Sequence, residues 1–379
     1  MFFKSPFWRS VGIISGLIGA GLFALPYSVN MSGVFWSVVN LSLAFFAVLS
    51  IHLVYGEVIT NTESIHRFPG YVKIYLGKFT GSFAKLTSII GLNAVILVYA
   101  ILSGIFLSNI AGGSQFWWSL AFLAVNSIIL FLSRAKEIGL LNIILMVPLC
   151  ATIIYIAFAS AGSGSLNNLS FFGSDPFFSF GVFVFALSGM SLIADSREVF
   201  LNQGRIEAAK GLKSSTILGS TIPLILYVIF IVGVLMASGG ITTEDALSGL
   251  SGILGGKILI FGAFMGLLAV FRAALTLSYD LKEVYELDLV EGKNFSWALA
   301  GVLPILLFLI IPRDFIKIIS IVGGILIALD GIFVIFILRK MRAAGLSTIQ
   351  FLSFKKPHQT ALFTIFILSI LYELVYQVF

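Results

Sequence analysis

The sequence predicts an all-α polytopic membrane protein, and three observations carry that prediction. Of 379 residues, 59% are hydrophobic and only 11% are charged, where a soluble domain carries about a quarter charged; mean hydropathy is +1.08. The apolar runs are about 20 residues long, the length at which a helix crosses a hydrocarbon core of about 30 Å, and not the ten-residue alternating segments of an outer-membrane barrel. Finally, the basic residues sort to one side of the membrane. With the N-terminus cytoplasmic, all but four of the 23 Lys and Arg, from Lys4 and Arg9 through Arg67 and Arg134 to Lys355 and Lys356, fall on inner loops. Only Lys257, Arg313 and Lys317 fall outside, and Arg272 falls within a span. A soluble protein with a buried core is excluded on this composition.

Cutting at charged and Gly/Ser/Asn-rich stretches gives eleven candidate spans: 10–30, 34–59, 86–109, 116–133, 138–160, 176–196, 214–237, 257–281, 296–312, 314–338 and 359–378. The first follows only Lys4 and Arg9 and lacks a small-residue cleavage site, so it reads as a retained helix. An odd span count puts the C-terminus on the extracytoplasmic side of a cell membrane, inner or plasma. Residues 62–85 read either as a short amphipathic helix at the cytoplasmic interface or as a solvated connector. The outer loop 161–175 reads as a flexible lid or linker, and 240–256 as a short outer helix begun by the cap signal Thr242-Thr243-Glu244-Asp245. The lone Cys150 permits no intrachain disulfide. The net charge of +6 follows from the loop sorting, and no basic stripe interleaved with aromatics points to nucleic acid.

The chain is organised around Ser15 to Tyr27, where three glycines and Pro26 stand in what would otherwise be a continuous helix. Glycine is costly there unless the backbone bends or is closely approached. A break leaves N–H and C=O groups bare in hydrocarbon unless they line a cavity that holds a solute; the competing reading is a glycine-lined packing seam. The sixth span repeats the theme, with a small, polar middle from Ala186 to Ser191. Spans one and six are equivalent members of two five-helix halves, and interrupted segments at matching positions point to an inverted-repeat secondary transporter. The expected units are residues 1–160, residues 161–338, and a loop with an eleventh helix over 339–379.

Ile18-Gly19-Ala20-Gly21-Leu22-Phe23-Ala24-Leu25-Pro26-Tyr27 resembles the first-helix signature of the bacterial aromatic amino acid permeases, those for tyrosine or tryptophan. Leu218-Gly219-Ser220-Thr221-Ile222-Pro223-Leu224-Ile225-Leu226-Tyr227 resembles their seventh helix, Tyr99-Ala100 with Ser103-Gly104 their third, and Asp280-Leu281 the end of their eighth. The resemblance covers residues 10 to about 290 and implies the LeuT fold, with broken helices one and six, and uptake of a neutral, aromatic or large apolar L-amino acid by alternating access. It departs from the family in span eight, where Ala269-Val270-Phe271-Arg272-Ala273-Ala274 replaces a small hydroxyl-rich stretch.

Holding a zwitterion near the bilayer middle requires no covalent chemistry, cofactor or metal. The resemblance and the backbone logic together assign the carboxylate to the segment Ile18, Gly19, Ala20, Gly21 and Leu22, whose free N–H groups open a half-helix. The carbonyls of Phe185, Ala186 and Leu187 receive the ammonium, and Ser188 adds a hydroxyl. Asn93 and Tyr99 on span three are candidates for the side-chain wall, with an ordinary core role open for Tyr99. Arg272, about 15 Å from the inner helix end, must face the bundle interior and find a partner, with Asp330 and Glu57 the expected ones. It either stands where sodium-coupled relatives hold a cation, bracing span one against span eight, or makes a structural ion pair. Asp330 and Glu57 are also the candidates for proton-linked gating. Asp195 and Glu373 read as structural or interfacial, and His52 as a packed histidine.

The partners expected are therefore an amino acid, a proton or sodium ion, and the bilayer, with a monomer sufficient. Other classes fare worse. The acids Glu283, Glu286, Asp288 and Glu291 form a charge-mixed loop, not an enzyme centre, and Gly252 to Lys257 is followed by Ile258 where a phosphate loop needs Ser or Thr. A channel would need a filter of rings of charge or carbonyls, which the sequence does not display.

Overall fold

The computed structural model describes residues 5–132, 135–288, 292–353 and 355–378; Lys4, Arg134 and Glu291 of the preceding section lie outside them. The described residues form ten helices long and apolar enough to cross a membrane, or eleven spans when a bent pair is counted as one. That pair is span one, Pro6–Leu17 and Gly21–Ser32, bent by 51°. Span two is Val34–Asn61, span three Lys78–Ala111, span four Gln115–Leu132 and span five Ala135–Gly162. Span six is Phe178–Glu198, broken between Leu187 and Met190. Span seven is Arg205–Ser238, span eight Gly256–Glu283, span nine Lys293–Ile310, span ten Phe315–Ala343 and span eleven Lys356–Val378. The cut around Pro312 separates spans nine and ten as expected.

Helices one and six pack together, and so do two and seven, three and eight, and four and nine. Four of the five equivalent pairs thus sit against each other across the two halves, in keeping with a pseudo-two-fold. The two breaks meet at the centre. After a single 3-10 turn, Ser15–Leu17, residue Ile18 turns extended (φ −66°, ψ 103°). Ser188 does the same in span six (φ −82°, ψ 144°). Each break offers a glycine to the other. A Cβ on Gly21 would lie 2.7 Å from Ala186 Cα, and one on Gly189 would run into the Leu17 side chain. The glycines of the first motif therefore serve a break and a close crossing at once, so the packing-seam reading and the broken-helix reading both describe part of the structure.

The loops differ from expectation in three places. The helix within 62–85 is Phe68–Leu76, and with Pro69, Gly70, Tyr71 and Val72 buried it is wedged into the bundle instead of lying on its surface. Span three then begins at Lys78, eight residues earlier than hydropathy suggested, because packing carries its polar first turns. The loop 161–175 is a strap laid over the end of the bundle opposite the basic loops: Val34 N–H donates to Ser170 O, Phe35 N–H to Phe171 O, and Gly173 N–H to Ser32 O. The short outer helix starts only at Ser248, as a 3-10 turn continued by Ser251–Leu254, and not at the expected cap signal, whose Thr243 Oγ1 accepts from Gly249 N–H and Asp245 from Ser248 N–H.

Span ten carries a π-wound stretch, Val322–Ile327. Glu373 of span eleven, 1% exposed, accepts a hydrogen bond from Ser320 Oγ at 2.6 Å beside it. Glu57, wholly buried, accepts from Arg342, from Ser347 Oγ and from Phe351 N–H. It anchors the segment after span ten to span two.

Candidate functional site

The carbonyls of the first break are all occupied by side chains. Arg272, 1% exposed, donates from Nη2 to Gly16 O at 3.2 Å and Ile18 O at 2.6 Å. Between them, Leu17 O accepts from Tyr227 Oη at 3.2 Å, and the same hydroxyl is shared with Ala186 O at 2.9 Å in the second break. The expected pairing of Arg272 with Asp330 or Glu57 is not formed. Glu57 is held by Arg342, and the unwound carbonyls, which have lost their helical donors, are the acceptors within the guanidinium's reach.

On the other side of the same strand, the N–H groups of Gly19, Ala20 and Gly21 have no acceptor among the described residues. They open the half-helix that starts at Gly21, where the partial positive charge of the dipole adds to them. The Tyr99 hydroxyl lies against this turn; a Cβ on Gly19 would stand 2.9 Å from it. Three free donors and a phenol therefore converge where an anion would be held.

In the second break, Ser188 N–H donates to Phe185 O and Tyr227 takes Ala186 O. The Leu187 carbonyl has no donor among the described residues. His52 of span two accepts from Gly189 N–H through Nε2 at 3.1 Å and meets Ser220 Oγ through Nδ1 at 3.3 Å. Accepting at Nε2 requires the proton on Nδ1, so the imidazole is neutral and joins spans two, six and seven at the break. It is packed, as the sequence suggested, and it also caps.

A cavity of about 190 Å³ adjoins the two breaks. Of the residues singled out from sequence, Gly21, Tyr99, Phe185, Ala186, Ser188 and Asp330 line it. Ile18, Gly19, Ala20, Leu22 and Leu187 are not among its lining residues. Asn93 turns its amide to the Ile89 carbonyl of its own helix, so it is not part of the lining; Arg272 and Glu57 are not either. The cavity runs from the breaks to Arg67, Phe68, Pro69 and Val284, at the end of the bundle that bears the basic loops. Away from that end, the Phe23 ring meets Phe106 and Phe230 edge-on at 5.0 and 6.1 Å.

Arg67 stands at the basic end of the cavity. Its guanidinium bonds Asp195 at 2.9 Å, Asp280 at 3.3 Å and Glu283, so one cation ties the segment after span two to the ends of spans six and eight. Burial alone would pull its proton affinity down, but Asp280, Asp195 and Glu283 outweigh that and hold it well above the ordinary arginine range. In the sequence Arg67 stands out only as one of the basic residues of the inner loop 62–85, and Tyr227 only as the end of a motif. For Tyr227 a signal existed, because a phenol in a hydrocarbon interior needs an acceptor.

The family model described as the tryptophan/tyrosine permease family matches residues 4–375. No curated protein sequence matches the chain significantly. Among solved structures, MhsT in complex with L-phenylalanine is similar at TM-score 0.72 and 17% identity, over 97% of either chain. Mhp1, a nucleobase-cation-symport-1 family transporter, is similar in a closed conformation with bromovinylhydantoin bound (TM-score 0.63, 15% identity, 98% of this chain and 92% of that one). Its inward-facing form gives 0.60 at 15% identity, over 98% and 90%. These likenesses establish the LeuT fold.

Proposed function

The chain belongs to the tryptophan/tyrosine permease family, and from that premise we propose that this secondary amino acid transporter carries an aromatic L-amino acid by alternating access without sodium. The substrate's carboxylate is taken by the N–H groups of Gly19, Ala20 and Gly21 with the Tyr99 hydroxyl, and its ammonium by the Leu187 carbonyl and Ser188. The ring lies in the cavity between spans three, six and ten. That MhsT was crystallised with L-phenylalanine supports a substrate of this shape.

One observation carries the sodium-free reading. Gly16, Leu17 and Ile18 carbonyls are all bonded to side chains, two of them to a guanidinium that keeps its charge. A metal cation arriving there would meet a resident positive charge and no free oxygen. A proton is then the coupling ion that remains. We take 1–160 and 161–338 as the two repeat units, with 339–379 outside both. Sorting of Lys and Arg supports a cell-membrane orientation with the N-terminus cytoplasmic and the C-terminus outside, which reporter fusions at both ends test.

The function test is uptake of tryptophan into proteoliposomes. Saturable uptake that is unchanged when sodium is replaced by choline, and is driven by an acidic exterior, is the expected result. Uptake abolished by sodium removal would favour a sodium symporter, and linear, non-saturating flux a channel.

A further inference from the structure

The cavity has a second polar corner, well away from the breaks. Asp330 of span ten lines it, and its Oδ1 has no hydrogen-bond partner among the described residues; Ser88 of span three lines it too, and its Oγ has none either. No Lys or Arg among the described residues comes within ion-pair distance of Asp330. A carboxylate this far inside a membrane bundle, with neither cation nor donor, is costly to keep. Between this corner and the breaks the wall is apolar, made by Leu92 and Val95 of span three and by Val322, Leu326 and Ile327 of span ten.

The distance between the two polar ends matches a particular kind of guest. Gly91 packs against Leu326, a Cβ there lying 3.5 Å from Leu326 Cδ1, which fixes the register of the two spans. From that level Tyr99 is two turns, about 12 Å, toward the breaks, and Asp330 is one turn, about 6 Å, the other way. Helical side chains lean toward the start of their own helix. The two spans run in opposite directions, so the Tyr99 hydroxyl and the Asp330 carboxylate lean toward each other. The remaining gap is about the length of an extended aromatic amino acid with a hydrogen bond at either end.

We propose that Asp330, with Ser88 beside it, accepts the ring N–H or O–H at the far end of the substrate and thereby selects tryptophan and tyrosine over phenylalanine. This rests on the reading that an aromatic amino acid occupies the cavity with its carboxylate at the first break. A charge-assisted hydrogen bond to a carboxylate is about twice as strong as a neutral one. A site built to receive a substrate N–H or O–H rejects the analogue that lacks it far more strongly than a missing methylene would allow.

The test is equilibrium binding to the purified full chain in detergent. Tryptophan should bind at least about tenfold more tightly than phenylalanine. It should also bind at least about tenfold more tightly than 1-methyltryptophan, which has lost the ring N–H, while 5-methyltryptophan, which is as large but keeps it, should bind like tryptophan. Asp330→Leu should bring tryptophan and phenylalanine to within about threefold of each other, chiefly by weakening tryptophan, and Asp330→Asn, which keeps an acceptor, should fall between. Equal binding of tryptophan and 1-methyltryptophan by the parent chain overturns the proposal, and needs no variant to fold. Variants that lose proton-driven accumulation yet keep the tryptophan-to-phenylalanine ratio would make Asp330 a proton carrier instead and also overturn it. If lysine or arginine binds better than any aromatic, the corner reads a cationic side chain and the proposal falls while sodium independence stands. If no aromatic amino acid binds at all, the substrate reading fails and takes this one with it.

Discussion

Arg272 supplies the donors that two carbonyls of the first break would otherwise lack. A guanidinium in mid-span has to be satisfied, but the acceptors it finds are main-chain oxygens, which no side-chain pattern announces. Arg272→Ala would strip the donors from Gly16 O and Ile18 O. Hydrogen bonds from charged groups contribute about 1.5–3 kcal/mol each, so a melting temperature lower by several degrees is expected. Arg272→Lys should recover only part of the loss, because a point ammonium does not reproduce the planar fork. A thermal unfolding curve indistinguishable from that of the parent would refute the bracing role. Tyr227, which is wholly buried, is the complementary case. Tyr227→Phe keeps the ring and leaves the Leu17 and Ala186 carbonyls without their shared donor, at a cost of about 1–3 kcal/mol. Substrate binding, measured by calorimetry, should weaken together with stability, since the hydroxyl sets the spacing of the two breaks.

The spans were readable because each is a long apolar run, and the first break because glycine and proline are visible there. The second break was readable mainly by its position, since Ala186 to Ser191 alone resembles an ordinary packing seam. What hydropathy did not show was the wedged helix Phe68–Leu76, whose burial depends on spans three and ten being in place. The crossing of the breaks yields a direct test. Gly21→Ala puts a methyl into Ala186, and Gly189→Ala puts one into Leu17; overpacking of this kind costs about 1–3 kcal/mol. Gly256→Ala, with nothing within 4 Å of the added carbon, is the matched control and should stay within about 0.5 kcal/mol of the parent. Chemical denaturation of the three variants side by side decides it, and equal stabilities would mean that the breaks can part without penalty.

Across the whole molecule, the two ends of the bundle are held by different means. Aromatic rings around Phe23 and the strap over Gly33 pack one end; a single cation, Arg67, ties three carboxylates at the other. Salt weakens ion pairs and leaves ring packing largely untouched, so the basic end is the one whose closure ionic strength tunes. Arg67→Ala removes the tie and leaves Asp195, Asp280 and Glu283 facing one another, shifting the population toward a state open at that end. In a background with Cys150→Ser, a cysteine placed at Ala194 should then react several-fold faster with a membrane-impermeant thiol reagent. Unchanged reactivity would show that Arg67 does not hold that end shut.

The guanidinium at the first break is covalently part of the carrier. An ion drawn from solution can be released on the far side and so convert its own gradient into work, whereas this charge makes every crossing and return in place. It lends the broken helix the rigidity that a bound ion would give, yet contributes nothing to the driving force. Any uphill accumulation must therefore be powered by a different species.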